Sequence, residues 1–447
     1  MSSVSSISTS SNPRAGTEAL ADHEVRKHLP RNFLAHGLDG GLFIGGMAFL
    51  SGAVVGPRMV QSLGGPAWLT AAMPQILAAG AMIPPLLTAP WIERLVRIRP
   101  LLLTLGIFQR LPFLIAGLLL LWGAGGNVAV LVAAVALCPL LSGLFAGSGH
   151  TAWQEFVANA IPPYRRSSVW ATRNVISAVI GLAAGGVVLK VLDRYPGAPG
   201  YGILHLITFA FLVASYIAFT FTREIPNPRS RPHRAAGLGE VLADIPGILR
   251  ADQRFRLYLI SRGFQVGMLI MIPFMSIFAL NTLGWADAKL GVLVLGQMAG
   301  AITGNLLAAW VGDRWGGKRV LMIARAACLV ICLTMPWART PAAFVALFFL
   351  FGVGHFCNQV GNLTLAIELC HLDRRIRYLA AISGATLVSM ALTWGASTLT
   401  WQLSGENFTV VALCGAATVA TSALLLAFVK EPRPQASTET ADGAGKA

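Results

Sequence analysis

The sequence predicts an all-α membrane protein with twelve transmembrane helices arranged as two pseudo-symmetric six-helix bundles. Three observations carry that expectation. The 447 residues are 55% hydrophobic and only 12% charged, against about 25% charged in a soluble domain. Long apolar runs recur along the chain between short polar connections. Basic residues gather in alternate connections, the pattern that orients membrane helices. Such a composition excludes intrinsic disorder, a nucleic-acid-binding module and an ordinary soluble enzyme.

Residues 1–31 are Ser-rich and then charged, without the apolar core and cleavage site of a signal peptide. They are expected to form a flexible cytoplasmic tail. Apolar segments then cover 33–57, 66–91, 100–122, 128–159, 168–191, 201–222, 257–281, 287–311, 320–338, 342–369, 378–402 and 407–429. Each is near or above the roughly 20 residues that cross about 30 Å of hydrocarbon as a helix. The backbone finds no water there, so helix is the expected state. The fourth and tenth are long enough to tilt or to project from the bilayer. The polar stretch 223–256 is rich in Pro, Arg and Gly and reads as a linker, with a short amphipathic piece near 238–250 on the membrane surface. The expected organisation is a tail over 1–31, a bundle over 32–222, a cytoplasmic linker over 223–255, a second bundle over 256–429 and a disordered cytoplasmic tail over 430–447.

Charge placement tests this map. With the N-terminus inside, the inner connections hold Arg94, Arg97 and Arg99, then Arg165, Arg166 and Arg173, then Arg314, Lys318 and Arg319, then Arg374, Arg375 and Arg377. Outer connections hold only Arg58, Lys190, Arg194, Lys289 and Arg339, and Arg110, Arg262 and Arg325 fall within spans. This bias places both termini in the cytoplasm of a multi-pass cell-membrane protein. It also accounts for most of the net charge of +15 without a nucleic-acid partner. All six Cys lie in apolar runs without a C-x-x-C pair, so they read as small buried residues, and no metal site or cofactor is expected.

The halves look alike. Gly149-His150-Thr151-Ala152-Trp153-Gln154 at the end of span four matches Gly354-His355-Phe356-Cys357-Asn358-Gln359 in span ten. Glu93-Arg94 after span two matches Asp313-Arg314 after span eight, and Gly37, Asp39 and Gly41 align with Gly263, Gln265 and Gly267. A duplicated six-span unit is the usual architecture of alternating-access transporters, with the substrate site between the halves. The segment Gly312-Asp313-Arg314-Trp315-Gly316-Gly317-Lys318-Arg319 resembles the D-R-x-G signature found between spans eight and nine in the major facilitator superfamily. That resemblance implies that Asp313 and Arg314, with Lys318 and Arg319, make loop contacts holding one conformation. Glu93 and Arg94 are the N-half counterparts, departing from the signature at Leu95-Val96. Gly181-Leu182-Ala183-Ala184-Gly185-Gly186 is similar to a motif of drug antiporters but has Leu182 in place of Pro. It reads as a face of small residues for close helix packing.

Ionisable groups inside spans cost about 2.5–3.5 kcal/mol each on insertion scales, so each is a functional candidate. Asn32, His36, Asp39 and Phe43 share one stripe of span one, and Asp39 is the candidate proton-coupling carboxylate or a partner in a static ion pair. Arg110 in span three needs an anion: Asp39, Glu155 or an acidic substrate. Arg262 and Gln265 share a face of span seven, and Arg325 is expected to snorkel from the start of span nine. Under the two-fold relation, His150, Gln154 and Glu155 face His355, Asn358, Gln359 and Asn362. These groups can bind hydroxyls, a carboxylate or a proton. Gln75, Gln297 and Asn305 are further cavity candidates.

The resemblance implies a secondary active transporter, and the mix of amides, His and Arg favours a small polar organic solute, an anion or a sugar-like molecule, over a purely apolar drug. A monomer in the lipid bilayer is expected, with protons as a candidate coupling ion. The alternative is a transport-inactive sensor or partner-binding scaffold of the same fold. Catalytic signatures are missing from the sequence, so no enzyme is expected.

Overall fold

The computed structural model describes residues 13–85, 88, 95, 97–224, 238–370 and 375–430. Eleven helical stretches among them are long and apolar enough to cross a membrane. Span one is the helix Pro13–Met47, span three Arg99–Leu121, span four Val128–Ala160, span five Pro163–Arg194 and span six Ala198–Thr220. Span seven comprises Gln253–Gln265, a 3-10 stretch Val266–Ile270 and Ile272–Leu283. Spans eight to twelve are Leu290–Trp315, Gly317–Thr334, Pro341–Leu369, Arg375–Leu403 and Phe408–Phe428. Several begin at polar caps: the side chains of Asn127, Asp252, Thr340 and Asn407 each accept from a backbone N–H two or three residues on.

Two segments differ from the sequence expectation. Residues 13–31 are continuous with span one rather than a flexible tail. Helix-forming Glu, Lys and Arg residues fill this stretch, and Glu24 sits within 3.8 Å of Lys27 and 3.2 Å of His28, one turn on. Residues 1–12 and 431–447 lie outside the described residues. Span two is interrupted: it runs as Ala67–Ala72 and Ile76–Met82, with a turn at 73–75 around Pro74, which has no N–H to continue the first helix.

In the N-terminal bundle span one packs against spans five and six, span three against four and six, and span two against four. The C-terminal bundle repeats the scheme: seven against eleven and twelve, nine against ten and twelve, eight against ten. The repeat is visible at single glycines. Gly147 of span four lies on the backbone of Ala81, and Gly352 of span ten on the backbone at Gln297 and Ala301. The helix Leu238–Ala251 packs on span eleven and buries Ile248.

The two bundles meet at the end opposite the termini. A β-carbon on Gly185 of span five would stand 2.8 Å from the Gly291 carbonyl of span eight, so these helices touch backbone to backbone. That is the packing role read for the small-residue face. Arg58 Nε donates to Asp287 Oδ1 at 2.8 Å and Tyr201 Oη to Asp287 Oδ2 at 2.8 Å. Trp394 Nε1 donates to the Trp68 carbonyl at 2.7 Å, and Ser51 Oγ to Gln297 Oε1 at 3.1 Å.

Candidate functional site

Span one supplies the carboxylate. Gly37, Gly40, Gly41 and Gly45 let its backbone settle on span five, each placed where a β-carbon would press on Thr172, Arg173, Ile176 or Ile180. The polar stripe of span one therefore points into its own bundle. Asn32 is fully buried and pairs with the backbone of Arg223, donating through Nδ2 at 3.2 Å and accepting at Oδ1 at 2.8 Å. It closes the chain after span six. His36 lies edge-on to Phe156 and Phe219 at 5.7 and 6.0 Å between ring centroids, with neither ring nitrogen hydrogen-bonded among the described residues.

Asp39 is 8% exposed and lines a cavity of about 370 Å³ between spans one and four. Ser215 Oγ donates to Asp39 Oδ1 at 2.7 Å, and Arg110 Nη2 donates to Ser215 Oγ at 3.1 Å. Arg110 Nη2 stands 3.9 Å from Asp39 Oδ1. Arg110 also donates to the carbonyls of Leu212 at 2.7 Å and Gly106 at 2.8 Å, and its guanidinium covers the rings of Tyr216 and Phe43. Of the anions considered for Arg110, the structure brings Asp39 to it.

Arg173 corrects the charge map. It lies within span five, about a third of the way along it, is 8% exposed, and lines the same cavity rather than a cytoplasmic connection. Its guanidinium fills the space left by the missing β-carbon of Gly40 and stacks 4.5 Å from the Trp170 ring and 5.1 Å from that of Trp153. Sequence reasoning missed it because Arg165 and Arg166 just before it made all three look like one topogenic cluster. The signal available was Trp170, one helical turn before it in the chain. His150 lies exposed on the cavity rim, stacked at 6.2 Å on Trp153. Gln154 is exposed and Glu155 half-buried on the same helix.

The C-terminal bundle holds a second polar network. Arg325 is 1% exposed and does not snorkel: its Nε donates to Ser422 Oγ at 2.9 Å and its Nη1 to Asn358 Oδ1 at 2.7 Å. Asn362 Nδ2 donates to Asn358 Oδ1 at 2.8 Å, and Tyr258 Oη to Asn362 Oδ1 at 3.2 Å. Arg262 Nε donates to Thr386 Oγ1 at 3.0 Å and Nη1 to Tyr258 Oη at 3.4 Å. Asn358 and Asn362 thus serve their own bundle. His355 and Gln359 pair with each other at 2.8 Å on an exposed face, and Gln265 ends the first segment of span seven, half-buried.

The two-fold relation has a different register from the sequence alignment. Gly40 faces Arg173 as Arg262 faces Thr386, and Gly41 faces Ile176 as Gly263 faces Ser389. Gly41 therefore corresponds to Gly263, one helical turn before Gly267, and Asp39 to Ser261 rather than Gln265. Glycine alone misled the alignment because span seven carries Gly263 and Gly267 at helical spacing.

Of the loop candidates, Glu93 and Arg94 lie outside the described residues. Lys318 Nζ donates to the carbonyls of Ala427 and Val429 at 3.0 and 2.6 Å. Arg314 stacks 4.8 Å from the Trp310 ring and Arg319 5.9 Å from that of Trp315, while Asp313 ends span eight beside them.

A sequence model of the Major Facilitator Superfamily matches residues 107–375 and 257–445. The chain belongs to the Major Facilitator Superfamily. Among solved members of the fold, a nucleoside transporter, NupG, superposes with a TM-score of 0.66 at 11% identity, covering 90% of this chain and 100% of that one. A D-xylose–proton symporter gives a TM-score of 0.66 at 14% identity, covering 91% and 99%. These likenesses establish the twelve-helix superfamily fold of a multi-pass membrane protein. An uncharacterized MFS-type transporter of Mycobacterium tuberculosis is 25% identical over 195 residues, 43% of this chain and 42% of the relative. The match thus spans less than half the length of that relative.

Proposed function

We propose that this superfamily member is a secondary active transporter that carries a small polar organic solute across the cell membrane by alternating access. It works as a monomer with both termini in the cytoplasm, and the bundles 32–222 and 256–429 rock about the linker 223–255. Protons are the coupling ion, and Asp39 carries them. In this reading the described conformation is closed toward the outside by the contacts at Gly185, Arg58 and Trp68. Asp313, Arg314, Lys318 and Arg319 act in the opposite closure.

One observation carries the reading. A carboxylate and two guanidinium groups line a cavity inside an apolar helical bundle, where each charge is costly to bury. A static scaffold gains nothing from keeping them beside an accessible cavity. A carrier needs such groups to bind its solute and exchange a proton.

Uptake of radiolabelled solutes into proteoliposomes, with and without an inward proton gradient, tests this. The expected result is gradient-stimulated uptake by the wild type and loss of the stimulation in Asp39→Asn. An undiminished response in the variant removes Asp39 from coupling. Failure of uptake and counterflow across all solute classes favours the sensor or scaffold reading.

A further inference from the structure

We propose that the cavity between spans one and four binds the carboxylate of a planar organic monoanion, with Arg173 as its receptor. This rests on the transporter reading and names its substrate class. The decisive observation is a surplus of guanidinium over carboxylate on the cavity wall, where Arg110 and Arg173 stand with Asp39. Arg173 is more than nine-tenths buried and lines the cavity; its Nε lies against Gly40, and among the described residues it has no hydrogen-bond partner there and no ion pair within 4.0 Å. Asp39, the anion that interacts with it, also accepts from Ser215 and stands beside Arg110. One carboxylate therefore serves two guanidinium groups, and the cavity wall carries an excess of one positive charge.

The surroundings shape what that charge can take. Gly40 and the two indoles enclose the guanidinium, and a planar guanidinium fork matches the two oxygens of a carboxylate. Phe43, Phe145 and Tyr216 complete the wall with Trp153 and Trp170. Aromatic walls of this kind stack a flat apolar body. At about 370 Å³ the space lies at the small end of ligand sites, which run from about 300 to 1,000 Å³. The site therefore takes a compact aromatic acid. A cation is repelled by the surplus charge, and a neutral amide leaves the buried fork without its counter-ion.

The experiment measures binding to the purified full-length protein by isothermal titration. The probes are benzoate, phenylacetate and indole-3-acetate, each beside its neutral amide, with tryptamine as the cation. The expected result is that at least one acid binds ten-fold or more tightly than its amide and that tryptamine does not bind. Arg173→Gln removes the acid-over-amide preference, Arg173→Lys restores part of it, and Gly40→Ala, which displaces the guanidinium, weakens it. Melting curves identify variants that fail to fold, and Arg173→Lys keeps the test open if Arg173→Gln is one. Equal binding of acid and amide, preference for tryptamine, no binding by any probe, or an unchanged preference in Arg173→Gln overturns the proposal. Counterflow of the same probes separates the two readings. An acid that binds at Arg173 but is not moved argues against transport, whereas movement of neutral or cationic probes alone keeps transport and removes the anion site.

Discussion

Asp39 and Ser261 occupy equivalent places in the two bundles. Asp39 accepts from Ser215, which Arg110 caps; Ser261 bonds Ser422, which Arg325 caps. The duplicated scaffold thus keeps arginine and serine in both halves but a carboxylate in only one. The N-terminal copy has a buried carboxylate beside its cation, and the C-terminal copy has a buried cation held by neutral acceptors. This asymmetry motivates the first two predictions.

Removing Asp39 alone strands Arg110 in a site where it is 7% exposed. Asp39→Leu should destabilise the protein by about 3–5 kcal/mol, the usual cost of an uncompensated buried charge. Asp39→Leu with Arg110→Met should recover a large part of that. A double-mutant cycle by chemical unfolding in detergent measures the coupling, and additive losses would show that the pair does not act as one unit.

Arg325→Met should behave differently. Its partners stay satisfied without it, because Ser422 Oγ donates to the Ser261 carbonyl and Asn358 Oδ1 still accepts from Asn362. Replacing a buried charge by an apolar side chain of similar length is often neutral, or stabilising by about 1–4 kcal/mol. We expect an unchanged or raised melting temperature. A drop of many degrees would mean that the charge itself organises the C-terminal bundle.

Asp287 joins the bundles through Arg58 and Tyr201, and the Arg58 and Asp287 side chains are 22% and 18% exposed. A partly hydrated pair of this kind is worth about 0.2–1 kcal/mol. Asp287→Asn should therefore shift, rather than abolish, the closed arrangement. Spin labels at Gly64 and Ser404, read by double electron–electron resonance, should show a several-fold larger long-distance population. An unchanged distance distribution would remove this contact from the closure.

Gly185 and Gly291 set how close the bundles come. Gly185→Leu places a side chain against the Gly291 carbonyl and Leu295, and overpacking of this kind costs about 1–3 kcal/mol. The same labels should report opening at this end, larger than that from Asp287→Asn. A distribution like that of the wild type would show that the helices slide apart at no cost.

Much of this was legible in the chain. Apolar run length gave the spans, and the G-H-x-x-x-Q pair in spans four and ten pointed to the repeat that Gly147 and Gly352 display in three dimensions. The stripe through Asn32, His36 and Asp39 was correctly seen as one face, yet its three members do different work, because each meets a different neighbour along spans four to six. Arg173 was hidden in a basic cluster, and Arg325 was assigned to the interface although span twelve and Asn358 enclose it.

Hydropathy and charge bias determined that this protein is a bundle of membrane helices with a duplicated plan, because crossing a bilayer is a property of each segment taken singly. Which arginine meets which acceptor, that Arg110 rather than a substrate stands beside Asp39, and that Arg58 reaches across to Asp287 were decided only by the tertiary structure. Those pairings join residues far apart in the chain. They depend on helix rotation and on close approach at Gly40, Gly185 and Gly291, which the local pattern of apolar and polar residues does not encode.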